Sequence, residues 1–149
     1  KLRALATSLG LADRVTLTGF VDQDQLRDSL QRGSVFAMPS TAELQSISTM
    51  EAMASGLPVV AANAMALPHL VHDGENGFLF EPGNVEDLAA KLTTVLTMPA
   101  DELLKFKKES LAIVAAHDIQ RTLDTFESMY RGEPVTDPAA LGKKNESAS

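Results

Sequence analysis

At 149 residues, with 44% hydrophobic and 22% charged side chains, the chain has the length and composition of one globular domain with its own core. A formal charge of −7, from 13 Lys+Arg against 20 Asp+Glu, argues against a nucleic-acid surface, which needs a basic patch. Cysteine is absent, which excludes disulfides and thiolate metal sites, and no apolar stretch is long enough to span a bilayer.

Short apolar runs alternate with helical patterns, the signal of an α/β fold. Leu2, Leu5, Ala6 and Leu9 recur at helical spacing, and Gly10 ends that helix. Residues 15–18 predict a strand. Asp22 is placed to cap a helix whose apolar face is Leu26 and Leu30 and which ends at Gly33. Residues 35–38 and 59–61 are near-continuous apolar runs, as expected of parallel strands buried on both faces. Between them, Pro39, Ser40 and Thr41 close the first strand. A helix then starts near Ser46 or Ser48, either able to cap its first turn, and stops at Gly56.

Residues 67–71 predict a short helix around Pro68, and residues 73–77 a turn into a strand at 78–80. Asn84 should cap a helix with Leu88, Leu92, Val95 and Leu96 on one face. Pro99 starts another, carrying Leu103, Leu104, Phe106 and Leu111. The last helix, near Ile119–Tyr130, has Leu123, Phe126 and Tyr130 on one face. From Gly132 the prolines, lysines and small polar residues predict a disordered tail, so the domain is expected to span 1–131 and the tail 132–149.

Seven residues separate Glu43 from Glu51. The predicted helix start puts Glu43 in the loop ahead of the helix and Glu51 about one turn inside it. Between them lie the free N–H groups of a helix N-terminus, those of Ser46, Ile47 and Ser48 among them. That is a cradle for a phosphate, with a carboxylate on either side to accept hydrogen bonds from hydroxyls. A nucleotide sugar offers this chemistry: ribose, diphosphate, hexose. Each residue also has a plainer account. Glu43 could be a solvated loop carboxylate, Glu51 a helix residue paired with a nearby base, and the serines an ordinary helix start. Glu51 has apolar neighbours in Met50, Ala52, Met53 and Ala54, and an unpaired carboxylate buried among them would be costly.

Gly19, Phe20 and Val21 follow a predicted strand end, where α/β sheets bind ligands. Asp22-Gln23-Asp24 mimics an Asp-x-Asp metal motif, but both carboxylates fall in a first helical turn, where they favour the dipole. His69 and His72 share a predicted helical face without a third ligand, which argues against zinc, and His117 falls between helices. Asn145-Glu146-Ser147 fits a glycosylation sequon, a weak signal by itself. No Gly-x-Gly-x-x-Gly or P-loop is present, which weighs against dinucleotide oxidoreductases and NTPases.

Glu43 and Glu51, with the Glu-Ala-Met-Ala-Ser-Gly-Leu-Pro-Val-Val run that starts at Glu51, resemble the Glu-x7-Glu signature of retaining glycosyltransferases of the GT-B fold, family 4 in particular. The segments at 15–21, 34–40, 63–68 and 73–84 are similar to that family's segments in the same order, so the resemblance covers roughly residues 1–132. It implies a Rossmann-like parallel sheet with helices on both faces, as the incomplete C-terminal domain of a GT-B protein. It implies that Glu51 binds ribose, that Glu43 contacts the donor hexose and steadies charge at the anomeric carbon, and that Gln45, Ser46, Ile47 and Ser48 surround the diphosphate and sugar. Gly19, Phe20 and Val21 would hold the base. Ser46 stands where the family most often has Gly, Gln45 where it has Phe, and His69 where it has Glu.

The implied donor is a UDP- or GDP-sugar, with no cofactor and no metal. The implied partner is an N-terminal acceptor domain of the same protein, absent from this chain together with an upstream Arg and Lys that neutralise the diphosphate. The chain is therefore expected to be inactive alone. Expected location is the cytoplasm or the inner face of the membrane, with peripheral contact through the missing domain. The rival reading is a non-catalytic Rossmann-like module that binds a partner through its acidic face.

Overall fold

The structure, a computed structural model, describes residues 1–133. Three strands, β1 (Phe36–Met38), β2 (Val59–Ala62) and β3 (Gly77–Phe80), form a parallel sheet in that order. Val59 lies opposite both Phe36 and Gly77. Helices α1 (Leu2–Ser8) and α2 (Gln23–Arg32) precede the sheet. Helix α3 (Ile47–Ala54) crosses from β1 to β2, and α4 (Leu67–Leu70) from β2 to β3. Helices α5 (Val85–Thr97), α6 (Ala100–Val114) and α7 (Ile119–Tyr130) follow.

The apolar run at 59–61 is a strand buried on both faces, as its composition requires: every residue of β2 is fully buried. The run at 35–38 behaves differently. β1 starts at Phe36, and Ala37 is exposed while Phe36 and Met38 are half-buried. Among the described residues nothing pairs with its outer edge, so an apolar composition meant for two covered faces is only partly covered. The strand expected at 15–18 does not form either. Val15 is extended, but the segment enters no ladder, and Val15 and Leu17 remain exposed. Strand propensity alone cannot supply the pairing that makes a strand.

Met53 of α3, all of β2, Leu67 and Leu70 of α4, Val71, Phe80 and Val95 make one buried cluster. Polar groups inside it are satisfied. Asn76, fully buried, accepts from His72 N–H at 2.8 Å and donates to the Leu70 carbonyl at 3.1 Å. Ser110 of α6 donates to the Leu57 carbonyl at 2.8 Å, tying α6 to the turn before β2. Phe106 of α6 meets Phe78 of β3 with ring centroids 5.6 Å apart.

The predicted caps of two helices are present. Asp22 accepts from Gln25 N–H at 2.8 Å while Gln25 accepts from Asp22 N–H at 3.1 Å, a complete capping box. Asn84 accepts from Asp87 N–H at 3.0 Å. The apolar faces of α5 and α6 are narrower than predicted. Val95 and Phe106 are buried, but Leu96, Leu104 and Leu111 are exposed. Each sits about 100° or more around the helix from the buried residue that anchors its face. The Ile119, Leu123, Phe126 and Tyr130 face of α7 is exposed along its whole length. Gly132, with φ 70°, and Glu133, whose N–H reaches the Ser128 carbonyl at 2.9 Å, follow α7 as its closing turn. The remainder of the predicted tail, and the sequon at Asn145, lie outside the described residues.

Gly77 is the tightest point of the sheet. A Cβ built there would stand 1.8 Å from the Val59 carbonyl oxygen. Gly77→Ala must therefore push β3 from β2, and we expect a loss at or above the upper end of the ~1–3 kcal/mol range for overpacked sites. Urea unfolding of the variant checks this; a loss below about 1 kcal/mol would show that the strands part without cost.

Candidate functional site

Two loops leave the C-terminal ends of β1 and β2, the edge at which parallel sheets present their ligand sites. Ala66 N–H donates to the Glu43 carbonyl at 3.1 Å and so joins the loops. Each loop holds one non-glycine residue in the left-handed region, Ser46 (φ 51°) in the first and Met65 (φ 51°) in the second. Ser46 stands where the sequence resemblance points to glycine. A side chain in this conformation costs about 1–2 kcal/mol, so the surrounding contacts must hold it.

Ser46 occupies the N-cap position of α3, as one of the two expected serines, but its side chain does not cap. Its carbonyl accepts from Thr49 N–H at 3.0 Å and Met50 N–H at 3.2 Å. Its hydroxyl instead lies 2.7 Å from the Thr49 hydroxyl. The left-handed backbone is the reason, because a side-chain cap needs an extended residue at this position. Among the described residues, no acceptor pairs with the N–H groups of Ser46, Ile47 and Ser48. The helix therefore begins with its donors open, as the phosphate-cradle reading requires.

Glu43 is half-buried in the loop, and among the described residues its carboxylate has no hydrogen-bond partner. Gln45, Ile47 and Ser48 are exposed beside it. Glu51 lies one turn into α3, half-buried rather than deeply buried, so the cost of a naked charge there is smaller than the sequence suggested. It faces a cleft of about 190 Å3 between α3 and α2, with Gln23, Leu26, Arg27 and Leu30 on the opposite wall. No ion pair to Glu51 is present among the described residues. Arg27 reaches Asp24 at 3.5 Å across an exposed surface, a contact worth little. The plain account of Glu51, a helix carboxylate paired with a base, thus finds no partner here.

Gly19 takes φ 68°, Phe20 is fully exposed and Val21 is half-buried. This turn runs directly into Asp22 and α2, the other wall of the Glu51 cleft. The structure therefore gathers Glu43, Ser46, Ile47 and Ser48 at one helix end, sets Glu51 one turn along it, and leaves 19–21 at the start of the facing helix. Sequence reasoning missed four contributors: Gln23, Arg27, Met65 and Thr49. Gln23 and Arg27 share the Leu26 and Leu30 face at helical spacing, a signal that was available. Met65 and the Ser46–Thr49 contact had no such signal, since left-handed non-glycine residues are not visible in composition.

The other motifs are occupied otherwise. Asp22 is engaged in the cap and Asp24 faces Arg27. His72 lies beyond α4, which ends at Leu70, so it shares no helical face with His69; its Nδ1 approaches Glu75 at 3.4 Å. His117 ends a 3-10 turn between α6 and α7. Among the described residues no three His, Cys, Asp or Glu side chains come together as a metal site. No described helix is long and apolar enough to cross a membrane.

Residues 1–98 match the sequence profile described as glycosyl transferases group 1. Among curated proteins, the sulfoquinovosyl transferase of Arabidopsis thaliana is 46% identical over 82 residues, covering 53% of this chain and 16% of its own length. A D-inositol 3-phosphate glycosyltransferase of Streptomyces bingchenggensis is 34% identical over 141 residues, covering 89% of this chain and 30% of its own. Among solved structures, sucrose-phosphate synthase of Thermosynechococcus elongatus superimposes with a TM-score of 0.81 at 28% identity, over 88% of this chain and 33% of that one. HepE of Anabaena, in complex with UDP and glucose, gives 0.75 at 32% identity, over 85% and 35%. The chain thus spans a third or less of the curated relatives it matches, and its α/β sheet is that of the GT-B glycosyltransferases.

Strain and hydroxyl pairing at Ser46 should be separable by stability. Ser46→Gly relieves ~1–2 kcal/mol of backbone cost but strands the buried Thr49 hydroxyl at ~1–3 kcal/mol, so the net change is near zero or unfavourable. Adding Thr49→Val removes the stranded group, and the double variant should exceed Ser46→Gly in stability by about 1 kcal/mol or more. Equal urea midpoints for the two variants would show that the hydroxyls do not depend on one another.

Proposed function

The chain belongs to the glycosyl transferases group 1 family, and we propose that it forms the nucleotide-sugar-binding part of a retaining hexosyltransferase. One observation carries the reading: Glu43 and Glu51, neither with an ionic partner among the described residues, bracket a helix start whose Ser46, Ile47 and Ser48 N–H groups are open. In this reading the diphosphate rests on those N–H groups. Ribose hydroxyls donate to Glu51 beside the α2–α3 cleft, and the turn Gly19-Phe20-Val21 holds the base. The hexose lies against Glu43 and Gln45. The UDP held by HepE, 32% identical, supports a UDP-sugar over a GDP-sugar.

The reaction breaks the bond between the anomeric carbon and the phosphate oxygen and forms one from that carbon to an acceptor hydroxyl. Positive charge grows on the sugar ring while negative charge grows on the leaving diphosphate. Open N–H groups at a helix end stabilise the second, already oriented and needing no metal. Glu43 stabilises the first. It is not a nucleophile here: the acceptor approaches on the face that the phosphate leaves, and the phosphate oxygen takes the acceptor's proton. The two-carboxylate logic of glycosidases, with one group on each side of the bond, does not apply.

Completion falls to a second domain that carries the acceptor and to an upstream Arg and Lys that share the diphosphate charge. The domain proper is residues 1–131, and the acceptor is a glycan or lipid hydroxyl. We place the work in the cytoplasm or at the inner face of the membrane.

Ligand-detected NMR with UDP-glucose, UDP-GlcNAc and GDP-mannose tests the reading. Ribose and hexose protons should saturate with the wild-type chain, and Glu51→Ala should weaken binding roughly tenfold or more, the loss of hydrogen bonds to a charged acceptor. Equal binding by both forms would instead favour a module without a donor site. The chain alone should transfer no hexose from any of these donors; turnover by residues 1–149 would overturn the assignment of acceptor and phosphate groups to a second domain.

A further inference from the structure

Helix α7 is closed at both ends by its own neighbours. Asp118 accepts from Gln120 N–H at 2.7 Å and from Arg121 N–H at 3.2 Å at its start, and Gly132 N–H reaches the Met129 carbonyl at 3.1 Å at its end. Its burial runs against its chemistry. The half-buried residues of α7 are Thr125 and Ser128, whereas Ile119, Leu123, Phe126 and Tyr130 are exposed, Tyr130 to 90%. At about 100° per residue these four fall within roughly 60° of one another, and Thr125 and Ser128 lie on the far side of the helix. An apolar stripe turned to solvent in this way marks an interaction surface.

The steps along the stripe are four, three and four residues, the spacing of a coiled-coil seam. This pattern reads the same from either end, so the stripe is complementary to a second copy of itself laid antiparallel. We propose that the chain self-associates through α7 as an antiparallel, two-fold symmetric dimer. Ile119 then meets Tyr130 of the second copy, Leu123 meets Phe126, and the two-fold axis repeats both. Every layer joins one aliphatic to one aromatic side chain, whereas a parallel pair would stack Ile119 on Ile119 and Tyr130 on Tyr130 in layers of unequal volume. The Tyr130 hydroxyls fall at the two ends of the seam, in water. Charge agrees with this pairing. Beside the seam, Gln120 faces Glu127 and Thr122 faces Met129, so no like charges meet, and Glu127 is already paired with Arg131 of its own helix. The polar side of α7 carries Arg121 and Arg131 against Asp124 and Glu127, a balance that gives no attraction to an anionic lipid surface. Two helices of 12 residues bury less than the ~1,200 Å2 at the low end of stable interfaces, so the dimer is weak, with a Kd on the order of 100 μM. No residue of the donor site takes part.

Sedimentation equilibrium of residues 1–149 from about 10 μM to about 1 mM brackets that Kd. The average mass should rise with concentration toward twice the monomer, and Leu123→Glu with Phe126→Glu should hold the chain monomeric throughout. At low concentration the double variant should keep the urea midpoint of the wild type, as changes on an exposed face do. A wild-type monomer at every concentration overturns the proposal and leaves the stripe to another surface, such as that of a second domain. A lowered urea midpoint in the double variant also overturns it, since the stripe then packs on its own domain. Register is tested separately by cross-linking, against a clean background because the chain has no cysteine. In the antiparallel dimer the two copies of residue 119 stand about 16 Å apart along the seam. Ile119→Cys chains mixed with Tyr130→Cys chains should therefore form a mixed disulfide on oxidation, and Ile119→Cys alone should not. Efficient linkage of Ile119→Cys to itself would show a parallel pair and overturn the antiparallel arrangement.

Discussion

Everything in this domain hangs on β2. Its four residues, Val59 to Ala62, are fully buried, paired on one edge with β1 and on the other with β3. A parallel pair cannot be closed by a tight turn, so each pairing demands a crossover, and here the crossovers are α3 and α4. The burial of β2 therefore fixes where both crossover helices begin. Gly77 shows how tightly: its backbone sits so close to the Val59 carbonyl that no side chain fits. Ser110 adds a tie from α6 to the carbonyl of Leu57, just ahead of the strand.

Position of the site follows from that sheet. The loops after β1 and β2 leave the same edge, and the Ala66 to Glu43 hydrogen bond holds them together. The first loop delivers a helix start, the second braces the residue in front of it. This arrangement answers an apparent conflict between a chain of net charge −7 and an anionic ligand. Net charge acts over the whole surface and is screened by salt within about 8–10 Å. Oriented backbone N–H groups act at contact and carry no net charge, so an acidic domain can still bind phosphate locally.

Much of this was legible in the sequence, and the reasons differ by element. The β2 run, the Asp22 and Asn84 caps, and the stop of α3 before Gly56 were legible because each depends on local chemistry: continuous apolarity, a side-chain oxygen at a helix start, a glycine with φ 73° at a helix end. Residues 15–18 were misread because strand pairing is a property of neighbours that a segment's own residues do not show; β1 does form and pair with β2, and only the covering of both its faces was misread. Leu96, Leu104 and Leu111 were misread because helical spacing gives a face to within a residue, while the width of the covered stripe depends on what packs against it. Glu43 and Glu51 were found by spacing and resemblance, and the structure adds that neither carboxylate is engaged in an ion pair among the described residues.

Ser46 shows the limit most clearly. Sequence marks it as a serine where glycine is usual and as one of two possible caps. The structure makes it neither a glycine substitute nor a cap: it keeps the left-handed backbone and turns its hydroxyl to Thr49. Two destabilising features, a strained φ and a buried pair of hydroxyls, coincide at the start of α3, where no side chain caps the helix. A core selected only for stability would hold glycine and a valine at these positions, since both features would vanish together. Strain that stability does not require is a feature of sites shaped for binding, which fits the proposal that this helix start holds the donor.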